Sequence, residues 1–140
     1  MDNNKALNYL ALGKKARLVE LGEEPVGAVT RAVKARLVIV ASDASDHTWR
    51  RAKSFVAGTD QQVVRTPFTK EEMGFVVGRT SLAIAAFTDA ALALAFAKAL
   101  PDQEKVKSVV EALDEKSRKL KQRKDEAKAH QRNVRMGKKK

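Results

Sequence analysis

The amino-acid sequence predicts an α/β protein, a three-layer α/β/α domain over residues 1–100 followed by a charged helical extension over 101–140. Three observations predict it. Leu37-Val38-Ile39-Val40-Ala41 is an unbroken apolar run of mostly β-branched residues, the pattern of a central strand covered on both faces. Segments of helical periodicity alternate with short apolar runs through the first hundred residues, which argues for helices layered on a sheet. The last forty residues contain no aromatic residue and cannot build a core of their own.

Taken in order, residues 3–15 form an amphipathic helix with Leu7, Leu10, Ala11 and the stem of Lys14 on one face. Arg17 to Leu21 reads as a short strand with Leu18 and Val19 inward. Gly22-Glu23-Glu24-Pro25 turns into a second helix, because proline suits the first helical turn and acids favour that end of the dipole. Val26, Val29 and Val33 supply its buried side. The central strand follows at Leu37–Ala41 and is closed by Ser42-Asp43-Ala44-Ser45-Asp46, a cluster of cap-type residues. A third helix turns Trp49, Ala52 and Val56 inward. Gln62 to Arg65 is a further strand, and Thr69-Lys70-Glu71-Glu72 fits a capping box at the start of a fourth helix. Leu82 to Phe87 is the fourth strand and Ala90 to Leu100 the fifth helix. The nineteen residues from Leu82 to Leu100 would attract a hydropathy scan, but Thr88 and Asp89 divide them and Lys98 interrupts the end, so they are expected as buried strand and helix. The N-terminus lacks the basic segment and cleavage pattern of a signal peptide.

Pro101-Asp102 opens a long helix expected over about 102–130, with Val106, Val109, Val110, Leu113 and Leu120 as its apolar stripe. Beyond Gln131 the expectation is disorder without a partner. Charge is concentrated here. Of 28 Lys and Arg against 17 Asp and Glu, residues 1–100 hold 14 and 10, residues 101–115 hold two and five, and residues 116–140 hold 12 and two. A net charge of +11, mostly on one end, makes a polyanion the first partner to consider. Zero cysteines exclude a disulfide framework, a thiolate metal site and a Cys nucleophile, and only two histidines leave little for acid–base catalysis.

The motifs are weak as chemistry. Gly74-Phe75-Val76-Val77-Gly78-Arg79-Thr80-Ser81 glances at a phosphate-binding loop, but three residues separate the glycines where four are needed, and Arg79 stands where the lysine belongs. His47 beside Asp43 and Asp46 has the composition of a metal site, yet capping carboxylates next to a surface histidine explain the same residues. Trp49 with Arg50, Arg51 and Lys53 suits base stacking, and suits equally a core tryptophan on a helix whose wet face is basic. No catalytic constellation, metal set or cofactor motif emerges.

Gly22-Glu23-Glu24, the run Leu37-Val38-Ile39-Val40-Ala41-Ser42-Asp43-Ala44-Ser45, then Phe68-Thr69-Lys70-Glu71-Glu72-Met73-Gly74 and Gly78-Arg79 before Leu82-Ala83-Ile84-Ala85-Ala86-Phe87 together resemble the ribosomal protein L7Ae family, its small bacterial members from Gram-positive genomes above all. The resemblance covers about residues 5–100. It implies a sandwich around a four-stranded mixed sheet, RNA binding at the start of the second helix, typically to a kink-turn, and no enzymatic activity. It also departs from the family: kink-turn binders carry an Asn-Glu pair after the glycine and a Lys three residues later, where this chain has Glu24, Pro25 and Ala28. The amide donor and the lysine that read tandem G·A pairs are therefore missing.

The sequence expectation is a non-catalytic, ribosome-associated protein of the cytoplasm that binds structured RNA, with ribosomal proteins as further partners, and with no membrane, small-molecule substrate, cofactor or metal. The RNA-facing edge would consist of Lys14, Lys15, Gly22, Glu23, Glu24, Arg79, Thr80 and Ser81. Arg118, Lys119, Lys121, Arg123, Lys124, Arg132 and Arg135 would contact phosphates from the tail. The alternative is a protein-interaction or assembly module on the same fold, docking a partner through the valine stripe of the long helix.

Overall fold

The structure is a computed structural model; it describes the backbone of residues 2–137 and the side chains of residues 5–130. Its elements run α1 (Asp2–Lys15), β1 (Val19–Leu21), α2 (Glu23–Arg31), β2 (Leu37–Val40), α3 (Asp46–Val56), β3 (Gln62–Arg65), α4 (Lys70–Val76), β4 (Ile84–Phe87), α5 (Ala90–Lys98) and α6 (Lys107–Gly137). The four strands lie in the order β1-β4-β2-β3, with β2 parallel to β3 and β4 antiparallel to both β1 and β2. This is the expected mixed sheet.

Alternation along the strands separates two cores. Leu37, Ile39, Val64, Ala85 and Phe87 face a layer made of α1, α4, α5 and the start of α6, whereas Val38, Val40, Ile84 and Ala86 face α2 and α3. The fully buried Leu37–Val40 run is apolar throughout because both of its faces are covered. In the first core Phe96 packs against Phe87 at 5.0 Å and edge-on to Phe68 at 6.3 Å between ring centroids.

Several boundaries and facings differ from the sequence expectation, each for a local reason. The buried face of α1 is Ala6, Leu7, Leu10 and Gly13; Ala11 is half-buried and Lys14 exposed. The first strand starts at Val19 because Arg17 takes a left-handed conformation (φ 60) that closes α1, with the Leu18 N–H donating to the Gly13 carbonyl at 2.8 Å and the Arg17 N–H to that of Lys14 at 3.2 Å. Only Val19 of the Leu18–Val19 pair is fully buried. Val33, expected in the core, falls beyond the end of α2 in the same kind of closing turn (φ 54) and is 50% exposed. Val29 is half-buried, and Val26, Gly27 and Thr30 form the buried side instead. Trp49 is half-buried rather than fully internal, with the Lys53 ammonium 5.4 Å and the Arg65 guanidinium 5.0 Å from its ring centroid. Leu82 precedes the fourth strand in a loop, where its N–H donates to the Lys70 carbonyl at 2.9 Å.

The long helix begins at Lys107. Gln103 spends its amide on the Ala97 and Leu100 carbonyls (3.1 and 2.6 Å), and Asp102 accepts from the Lys105 N–H, so residues 102–106 cross from α5 as a turn. Val106 and Leu113 are buried, while Val109 and Val110 pack against the same core. The stripe offered for an outside partner is thus occupied by the domain itself. From residue 121 to 130 every side chain is exposed, and the backbone stays helical to Gly137, beyond the expected end, through Gln131, Arg132 and Met136 with no breaker before the glycine. Residues 138–140, part of the segment expected to be disordered, lie outside the described residues. Among the described residues no helix is long and apolar enough to cross a membrane; the Leu82–Leu100 stretch is β4 and α5.

Candidate nucleic-acid interface

Because β1 and β2 run alike and β4 runs against them, the end of β1, the end of β2 and the start of β4 meet at one end of the sheet. Short backbone bonds fasten the loops there. The Gly22 N–H donates to the Ile84 carbonyl at 3.0 Å, and the Ala41 N–H to that of Ala83 at 2.9 Å. The Lys70 N–H donates to the Asp43 carboxylate at 2.8 Å, which commits Asp43 to the start of α4. Ser45 caps α3, accepting from the Thr48 N–H at 3.1 Å, and His47 is exposed. The His47–Asp43–Asp46 group is therefore a pair of helix starts, and no metal-holding cluster occurs among the described residues.

Gly22 opens α2 with φ 98 and ψ 161, a backbone conformation open almost solely to glycine. No side chain caps this helix. Its first turn therefore leaves the Glu23 and Glu24 N–H groups without a side-chain acceptor, and Pro25 has none to satisfy. A Cβ on Gly22 would stand 3.7 Å from an Arg79 guanidinium nitrogen, and one on Gly78 would stand 3.8 Å from the Lys14 ammonium. The Arg79 guanidinium thus lies over the Gly22 turn, and the Lys14 ammonium lies over Gly78, the residue before Arg79. The loop that carries Arg79 is held by Gly74: a Cβ there would be 2.8 Å from the Arg79 carbonyl oxygen and 2.9 Å from the Ser81 nitrogen, so only glycine lets residues 79–81 close over α4. This is the physical role of the two glycines that glanced at a phosphate loop. Gly74 admits the loop, and Gly78 ends the helix.

The expected edge residues are all exposed apart from Gly22, which is half-buried, and they do not all point to one task. Arg79 lies against Gly22 and Lys14 against the adjoining Gly78; Thr80 and Ser81 follow in the same loop, and Lys15 is exposed at the end of α1. Glu23 is drawn aside into an ion pair with Arg51 of α3 at 2.8 Å, which neutralises one of the two acids that would repel a phosphate. Glu24 takes part in no salt bridge among the described residues. Phe75, which no sequence motif marks as functional, is 82% exposed on α4 beside this loop. Its only sequence signal is its position between Gly74 and Arg79, off the buried face that Met73 sets.

The tail lies elsewhere. Val106 and Lys105 line a groove with Arg65 and Pro67 at the end of β3, and Lys116 pairs with Asp60, before the start of β3, at 3.1 Å. α6 therefore runs antiparallel to β3 and leaves the domain at the far end of the far strand, diagonally across the sheet from Gly22. Four residues of strand and three strand spacings put these corners about 20 Å apart. From Lys116 to Gly137 the helix rises about 30 Å further. Where α6 departs, a cleft of about 270 Å³ is lined by Arg36, Asp60, Gln62, Lys116, Lys119 and Arg123 among others, and the buried Arg36 Nε has no hydrogen-bond partner in it. Of the expected phosphate contacts, Arg118 and Lys119 pair with Asp114 (3.5 Å) and Glu115 (3.1 Å) one turn earlier, whereas Lys121, Arg123 and Lys124 are exposed and in no salt bridge among the described residues. The side chains of Arg132 and Arg135 lie outside the described residues.

No protein-family model matches the chain, and no curated protein matches it. Solved structures do. The chain is similar to a protein of unknown function from Bacillus halodurans C, with 25% identity and a TM-score of 0.63 over 68% of this chain and 95% of that one. It is also similar to the Giardia lamblia 15.5kD RNA binding protein, with 21% identity and a TM-score of 0.55 over 78% of this chain and 90% of that one. These likenesses concern the fold, which is that of an L7Ae-like sandwich.

Proposed function

We propose that the protein is a non-catalytic RNA-binding protein that engages structured RNA through the Lys14–Gly22–Arg79 edge and adds unspecific phosphate contacts from the exposed part of α6. The observation that carries this reading is the Arg79 guanidinium against an uncapped helix start whose glycine lets a ligand backbone approach, with the Lys14 ammonium beside Gly78, the residue before Arg79. The likeness to the Giardia RNA binding protein supports it, because the two share this architecture. Association with the ribosome in the cytoplasm is the finer form of the proposal. It rests on the resemblance of residues 5–100 to ribosomal protein L7Ae and on the basic end of the chain.

Ala28 and Glu24 leave the edge without the donors that read tandem G·A pairs, so recognition here is of phosphate position and shape rather than of that sequence signature. The test is filter binding with the full chain. Lys14→Glu and Arg79→Glu each weaken binding of structured RNA at least several-fold with circular dichroism unchanged, and a standard kink-turn binds little better than the same RNA with its tandem G·A pairs made Watson–Crick. Unchanged affinity in both variants removes the edge from the account. A kink-turn preference above roughly a hundredfold, the size of one strong bidentate base contact, refutes the reading of Glu24 and Ala28.

A further inference from the structure

The chain has seven aromatic residues, and six of them are buried or half-buried. Phe68, Phe87 and Phe96 fill the first core, Tyr9 packs against it, and Trp49 and Phe55 pack on the second. Phe75 alone stands in solvent, at 82% exposure. Its helix has no use for it there. The buried side of α4 is made by Met73 and Gly74, with Val77 just beyond, and the capping box of Thr69 and Glu72 fixes the start of the helix independently. Leaving a phenyl ring in water forgoes the burial that such a side chain normally contributes.

The surroundings of the ring indicate what covers it. Its own carbonyl accepts from the Gly78 N–H at 3.3 Å, and the next residues, Arg79 to Ser81, close over Gly74 immediately before it. The Lys14 ammonium reaches the Gly78 end of the same turn, and the Arg79 guanidinium reaches Gly22. Neither cation is in a salt bridge among the described residues. Glu71 lies one turn back on α4, so the ground behind the ring is unfavourable to phosphate while the ground ahead of it is favourable. An apolar plate with cations on one side suits a ligand that has a flat, uncharged face and an anionic link.

We propose that Phe75 is a stacking platform for an unpaired nucleobase at the rim of the interface, with Lys14 and Arg79 holding the phosphates next to that base. The proposal rests on the RNA-binding reading above and deepens it. It makes the edge selective for RNA in which a helix adjoins an unpaired nucleotide, because a base locked in a duplex cannot offer its face to a protruding side chain. It also supplies an affinity for irregular RNA that does not require the G·A-reading residues this chain lacks.

The test uses the full chain and a fluorescein-labelled RNA hairpin with a three-nucleotide bulge, compared by anisotropy with the same hairpin fully paired, both at physiological salt. Wild type favours the bulged hairpin. Phe75→Ala lowers affinity for it about tenfold, within the range for one base stacked on one aromatic, and leaves the paired hairpin and the salt slope unchanged. Phe75→Trp restores binding, and its new indole fluorescence is quenched by the bulged RNA; Phe75→Leu does not restore it. Equal binding by wild type and Phe75→Ala, full rescue by leucine, or an equal loss on both hairpins overturns the platform while leaving the RNA reading in place. If wild type binds neither hairpin, the RNA reading itself fails. A concentration-dependent dimer that Phe75→Ala abolishes in sedimentation gives the ring to a second copy of the chain and also overturns the proposal.

Discussion

Val33 is held at φ 54 at the end of α2, where its N–H donates to the Thr30 carbonyl and the Lys34 N–H to that of Val29, both at 3.0 Å. That pair of bonds is the usual end of a helix, but the position favours glycine or asparagine. For a residue with a Cβ the left-handed conformation costs about 1–2 kcal/mol, and branching at Cβ makes it worse. Half of the side chain is exposed, so little packing offsets the strain. Val33→Gly is therefore expected to stabilise the fold by about 0.5–1 kcal/mol after the added freedom of the unfolded chain is counted. The check is a urea midpoint that rises with an unchanged slope; a lower midpoint contradicts the account. The same residue shows why a sequence pattern misleads at a helix end. Val26, Val29 and Val33 keep helical spacing, yet spacing cannot tell where the helix stops.

α6 is one element with two environments. Leu113, 2% exposed, anchors its first turns in the core, and Leu113→Ala is expected to cost about 2–5 kcal/mol in chemical denaturation, whereas Gln122→Ala, on the exposed part, costs almost nothing. Among the described residues the last salt bridge from α6 to the domain is the Lys116–Asp60 pair. The Lys116 hydrogen bond, and then its charge, hold the Asp60 carboxyl below its ordinary value. A carboxyl with a lowered folded value adds stability above the unfolded value near 3.9, and that stability is lost as pH falls through the folded value. Asp60 is 66% exposed, so Asp60→Asn costs no more than about 1 kcal/mol at neutral pH. The difference from wild type should shrink in melts as pH falls below the unfolded value and vanish once the folded carboxyl is protonated, and a difference that persists in the acid limit assigns the effect to packing instead of charge.

At the scale of the molecule, the edge and the basic helix occupy opposite corners of the sheet, with the exposed half of α6 directed away from Gly22. Two contact regions this far apart share no side-chain partners, so their contributions to RNA affinity should add within about 0.5 kcal/mol. Arg79→Glu combined with Lys121→Gln, Lys124→Gln and Lys128→Gln is expected to lose the sum of the separate losses. The triple lysine variant alone should flatten the slope of log affinity against log salt by about 2–3 units, at 0.7–0.9 per phosphate contact, and leave the ranking of RNA ligands intact. A single salt slope unmoved by the triple variant removes α6 from the interface. Strong coupling between the two sets of changes would require the RNA to fold back across the sheet.

The layered α/β fold, all ten elements and the capping box at Thr69 were legible in the sequence because they depend on local chemistry. A β-branched run such as Leu37–Val40 suits a strand wherever it occurs, and the Thr69–Glu72 spacing closes its two hydrogen bonds without help from the rest of the chain. The tail's charge was equally plain. Lys14 and Arg79 could be placed at one edge only through resemblance, since sixty-odd residues of chain separate them and nothing in either neighbourhood specifies the other. Tertiary structure alone decided three matters: that the valine stripe of α6 closes the protein's own core, that the basic helix leaves from the corner opposite the glycine turn, and that Phe75 faces water. Each depends on which surface a segment meets after the chain has crossed the sheet. Pattern along the sequence encodes that a face is apolar or basic, but what stands opposite that face is set by strand order and direction.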